Sequence, residues 1–136
     1  MQVTATAKGV RLAPRKVSLV AGLVRGRTVA DALVILENTP KRAAKPMLKA
    51  IASARANAIT NHRADEKSLT IEHLQVTAGP RVKRYRPAAQ GRALPYQKRT
   101  SHINVTLSGT EKPNKPAAEA ASETKPAAKQ VEDKEA

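Results

Sequence analysis

The chain has 136 residues, with 25 Lys or Arg against 11 Asp or Glu, a formal charge of +14 at neutral pH. That length allows one small domain, and because Phe and Trp are absent and Tyr occurs only at positions 85 and 96, its core has to be assembled from Ala, Val, Leu and Ile. The absence of Cys excludes a disulfide framework, a Cys-based metal site and a thiol nucleophile, no apolar run approaches the roughly 20 residues that span a bilayer, and the first residues lack the apolar stretch of a secretory signal.

In QVTATAKGV, Val3, Ala5 and Ala7 alternate with Thr4, Thr6 and Lys8, the period of a half-buried strand. From Pro14 the period turns helical: Val17, Val20, Leu23 and Val24 form a stripe, Pro14 suits the first turn, and Gly26 stands where a left-handed cap is wanted. Thr28 and Asp31 resemble a capping box with Asp in place of Glu, opening a second helix with Ala32, Leu33 and Leu36 inward that Asn38, Thr39 and Pro40 end. Thr39 then caps a third helix with Pro40 at its first position and Ala44, Met47, Leu48, Ile51, Ala54, Ala58 and Ile59 buried; Pro46 predicts either a kink or a frayed first turn.

After a polar loop, Leu69 and Ile71 share a parity that Leu74 and Val76 reverse, which predicts a bulge near Glu72 and His73. The last strand alternates through Ile103, Val105 and Leu107. The elements add up to an α+β domain over residues 1–108, with three helices on a small antiparallel three-stranded sheet. Residues 109–136, rich in Ala, Lys, Glu and Pro, read as a disordered tail.

The charge is uneven. Residues 1–108 hold 20 cations against five acids, whereas 109–136 hold five against six. The density peaks in GPRVKRYRPAAQGRALPYQKRTSH, Gly79 to His102, with seven cations and no acid. If the flanking strands pair, this segment is a protruding β-hairpin with arms of up to roughly 40 Å, whose tip is marked by Pro87, Gly91 and Pro95 interrupting the pairing. With Val82, Ala88, Ala89, Ala93 and Leu94 scattered among charges, it has no apolar face to pack on its own body. Arg81, Lys83, Arg84, Arg86, Arg92, Lys98 and Arg99 can instead hold phosphates along both arms, and such contacts carry a strong salt dependence. Tyr85 and Tyr96 can stack on bases or lie on an Arg stem.

Arg11, Arg15, Lys16, Arg25 and Arg27, near the ends of the first helix, form a second basic cluster, and Lys41, Arg42, Lys45 and Lys49 of the third helix are further phosphate candidates. Catalysis finds no support. His62, His73 and His102 are scattered, Asp65 and Glu66 are adjacent loop acids, and there is no Gly-rich phosphate loop. Two other polyanion readings fit the charge. Architectural DNA-binding proteins also use basic β-arms tipped with Pro; a membrane-surface protein would need a bulkier apolar helix face than these Ala-rich stripes supply.

GPRVKRYRPAAQGRALPYQKRTSHINV resembles the hairpin signature of the universal large-subunit ribosomal protein twenty-two family, in its bacterial form. APRKVSLVAGLVRGRTVADALVIL resembles that family's first two helices, SARANAITN its third and KRTSHI its return strand, so the resemblance spans residues 2–108. The family commonly has Ser at the place of Ala13, acids at Thr77 and Ala78, and Glu-His at Ile59 and Thr60. The resemblance implies a cytoplasmic protein of the large ribosomal subunit. Its hairpin would run through large-subunit (23S) ribosomal RNA, with Arg81 to Arg99 and His102 along the RNA. The tip, Ala88, Ala89, Gln90, Gly91, Arg92, Ala93 and Leu94, would lie in the wall of the nascent-peptide exit tunnel, near large-subunit protein four and where macrolide antibiotics bind. No cofactor, metal, membrane or small-molecule substrate is implied.

Overall fold

The computed structural model describes residues 1–110, so the expected disordered tail lies, from residue 111 onward, outside the described residues. The order is β1 (Gln2–Val10), α1 (Pro14–Val24), α2 (Val29–Asn38), α3 (Ala44–His62), a 3-10 turn (Glu66–Ser68), β2 (Thr70–Pro87), a second 3-10 turn (Ala89–Gly91) and β3 (Ala93–Ser108). The strands form one antiparallel sheet in the order β1-β3-β2. The fold is α+β, as the periodicities predict. The helices cover one face of the sheet and leave Thr4, Thr6, His73 and Gln75 exposed on the other.

The core joins Val17, Val20 and Val24 of α1, Val29 and Leu36 of α2, and Met47 and Ile51 of α3 to Val3, Ile71, Leu74, Ile103, Val105 and Leu107 of the sheet. Burying each such side chain is worth about 1.5–3 kcal/mol. Ala21, Ala32, Ala44, Ala50, Ala54 and Ala58 are also buried, which lets the helix backbones approach closely.

Two residues expected inside are outside: Leu23 is 47% and Ile59 37% exposed. Each lies roughly 120° around its helix from the centre of the buried stripe, beyond the width that one sheet covers.

Thr39 does not cap α3. Its hydroxyl donates to the Ile35 carbonyl at 2.6 Å and finishes α2. α3 starts at Ala44 after a turn in which the Ala44 N–H donates to Lys41 O at 2.9 Å, so Pro40, Lys41 and Arg42 lie outside the helix. Pro46 is then the third helical residue, among the positions whose N–H has no intrahelical partner. The proline therefore falls in the first turn rather than at an interior kink.

The capping pair at α2 is present in altered form. Thr28 Oγ1 accepts from the Asp31 N–H at 3.2 Å and donates to Asp31 Oδ2 at 2.7 Å. The shorter Asp side chain meets the capping hydroxyl instead of the backbone N–H that Glu would reach.

The connection from α1 to α2 covers the outer edge of β2. Ile71 N–H donates to Arg27 O at 2.9 Å and Val29 N–H to Leu69 O at 3.0 Å, satisfying edge groups that would otherwise invite another strand. The predicted bulge is found: Ile71 opposes Leu107 and His73 opposes Thr106, with Glu72 as the extra residue. Composition put Gly109 in the tail, yet its N–H donates to Met1 O at 3.2 Å and its carbonyl accepts from the Met1 ammonium at 2.9 Å.

Candidate nucleic-acid interface

β2 and β3 run on as a two-stranded arm after leaving the sheet. Arg81 pairs with Arg99, Val82 with Lys98, Lys83 with Gln97, Arg84 with Tyr96, Tyr85 with Pro95, Arg86 with Leu94 and Pro87 with Ala93. The prolines therefore do not interrupt the ladder. In a two-stranded ribbon every second residue points its N–H outward, and Pro is tolerated at those positions. Reversal is confined to Ala88–Arg92, closed by the Ala88 N–H on Arg92 O at 2.8 Å, with Gln90 (φ 59°) and Gly91 (φ 69°) left-handed.

Cross-strand partners share a face. One face of the arm therefore carries Arg81, Lys83 and Arg99, and the other Arg84, Arg86 and Lys98. All six are exposed, as is Arg92. The second face also collects Val82, Leu94 and Tyr96, which look scattered in sequence and are gathered only by the register. Arg86 lies over the Tyr96 ring, 5.7 Å from its centroid, while Tyr85 is 70% exposed. Arg81 directly opposite Arg99 is a like-charge pair that destabilises the ladder. The five acids of residues 1–108, at positions 31, 37, 65, 66 and 72, all lie outside the arm.

The base of the arm is built by two bulges beyond the one expected near Glu72. Gly79 and Pro80 stand opposite Thr100 alone, because Ala78 pairs with Ser101 and Arg81 with Arg99; the Thr100 hydroxyl donates to Pro80 O at 2.8 Å. On the other side of β3, Lys8 and Gly9 bulge between Ala7 and Val10, with Gly9 at φ +73°. The Gly9 N–H donates to Nδ1 of His102 at 3.0 Å. His102, one of the residues expected to meet RNA, is thus tied into the sheet by its Nδ1, and its Nε2 edge faces Gly79.

The second basic cluster stands beside this base. Arg15 and Lys16 occupy the first turn of α1, which has neither an acid nor a side-chain cap. Arg15 shares a hollow with Arg81 and Arg99, and Arg11 shares another with Arg84, Lys98 and Arg99. Arg25 and Arg27 lie at the far end of α1. Arg25 Nε donates to Leu74 O at 3.0 Å, holding that guanidinium against β2. Arg42 also faces the arm base, although its expected place was on α3.

Among the described residues no cluster of His, Cys, Asp or Glu could hold a metal ion, and no helix is long and apolar enough to cross a membrane.

Residues 5–108 match the family Ribosomal protein L22p/L17e. The chain belongs to that family. The match takes in the body and the whole arm, and it assigns this L22p/L17e chain to the structural, non-enzymatic proteins of the large ribosomal subunit, which associate with ribosomal RNA and other ribosomal proteins in the cytoplasm.

Proposed function

We propose that the chain binds large-subunit (23S) ribosomal RNA through the arm and the adjoining basic end of its body, and that it helps order that RNA during assembly. The tip, Ala88 to Leu94, then lines the nascent-peptide exit tunnel, touching the nascent chain and neighbouring large-subunit protein four. The observation that carries this reading is the Arg81–Arg99 pair within an acid-free ladder. A fold gains nothing from stacking like charges unless a polyanion runs between them.

The test is Arg84→Ala/Arg86→Ala measured on large-subunit RNA across a salt series. Each lost phosphate contact lowers the log–log slope by about 0.7–0.9, so the double variant should bind more weakly with a slope flatter by up to about 1.8. An unchanged slope contradicts direct phosphate contact. Equal wild-type affinity for duplex DNA and for the RNA would favour the architectural DNA-binding alternative.

A further inference from the structure

The hollow on one side of the arm base, about 530 Å³, is lined by Arg11, Arg42, Arg84, Lys98 and Arg99, with Val82 and Thr100 and without any carboxylate. These five cations come from four separate segments: the β1–α1 connection, the α2–α3 connection, β2 and β3. Two belong to the body and three to the arm. The hollow lies where Gly79 and Pro80 bulge against Thr100, and a bulge bends the strand that carries it.

We propose that this hollow binds the phosphodiester backbone of one RNA segment, which ties the arm to the body and fixes the angle of the arm about the Gly79–Pro80 bulge. The inference rests on the RNA-binding function proposed above and adds a site to it. Guanidinium forks from both sides of a joint can share one backbone, since each phosphate offers two anionic oxygens to separate donors. With no anion in place, the same charges repel across the joint and favour opening it. Arg42 becomes a positioning residue for an arm to which it does not belong.

The absence of native Cys permits clean spin labelling at introduced Ala56→Cys on α3 and Ala89→Cys at the tip, both exposed and outside the hollow. With a full-length large-subunit RNA transcript, the distance distribution between the labels should narrow severalfold in the otherwise wild-type chain. In Arg11→Ala/Arg42→Ala it should stay broad although the arm still binds, and the salt slope should fall by about 1.5. Arg11→Lys/Arg42→Lys, which keeps the charge but loses the forks, should restore the slope and only part of the narrowing. Equal narrowing in wild type and the Ala pair, or an unchanged slope, overturns the clamp. If the Ala pair is silent while Arg84→Ala/Arg86→Ala weakens binding, the clamp alone fails; if both pairs are silent, RNA binding through the arm fails with it.

Discussion

The backbone N–H of Gly9 donates to Nδ1 of His102 at 3.0 Å, joining edge strand β1 to central strand β3 where the three strands last run side by side. His102 thereby closes the bulge that lets β1 leave the sheet for α1. His102→Ala should cost roughly 0.5–1.5 kcal/mol, the usual net worth of one such bond. Gly9→Ala meets no steric obstacle but places a Cβ at φ +73°, for about 1 kcal/mol. Urea unfolding of the two variants measures both, and a His102→Ala protein as stable as wild type would show that the bond contributes nothing.

On the other side of the same ring, Gly79 has no room for a side chain. A Cβ there would stand 2.5 Å from Thr100 Oγ1 and 3.2 Å from His102 Nε2. Thr100 is stiff at χ1 and its hydroxyl is committed to Pro80 O, so it can yield only by losing that bond. Gly79→Ala should therefore destabilise the chain by roughly 1–3 kcal/mol. Thr100→Ala in the same chain should recover part of that loss, and a double-mutant cycle reads the coupling. Strict additivity would mean that the two side chains do not compete for the space.

Shortening the arm separates tip from ladder. The loop Ala88–Arg92 is closed by backbone groups and is exposed from Ala89 to Arg92, while six of the seven arm cations lie in the ladder below it. Deleting Pro87 to Pro95 should therefore leave incorporation into large subunits largely intact, followed by sedimentation of the tagged chain, while changing the response to macrolides. Loss of incorporation would place the main RNA contacts at the tip instead.

The α+β architecture was legible because each element carries its own period, and the bulge at Glu72 because parity reverses between Ile71 and Leu74. The bulge at Gly79 and Pro80 was hidden, since it breaks no apolar alternation, whereas the one at Lys8 and Gly9 carries the same kind of signal as Glu72: Ala7 and Val10 both pack on the core with opposite parity. The start of α3 was misread because Thr39-Pro40 has the chemistry of a cap, but the Thr39 hydroxyl is already used by the preceding helix. For the interface, sequence density located the cations and could not pair them. Arg81 opposite Arg99 follows from the two-against-one count at Gly79 and Pro80, which shifts the register of every pair beyond it. Arg42 reaches the arm through tertiary folding, of which local sequence carries no sign.

The two tyrosines, equivalent in sequence, occupy different settings and should behave differently. Tyr96 is 38% exposed beneath the Arg86 guanidinium, on the face with Val82 and Leu94, so it serves the ladder. Removing a partly exposed cation–π partner costs about 0.5–1 kcal/mol, and Tyr96→Ala should lower protection of the arm amides in hydrogen exchange. Tyr85, 70% exposed and paired with Pro95, supports little and presents an open ring. Stacking on a base is worth about 1–3 kcal/mol, so Tyr85→Ala should leave amide protection unchanged and weaken RNA binding by roughly 5–150-fold. Because stacking carries no charge, the salt slope should stay that of wild type, unlike that of the arginine variants. Full RNA affinity in Tyr85→Ala would show that the exposed ring meets no base.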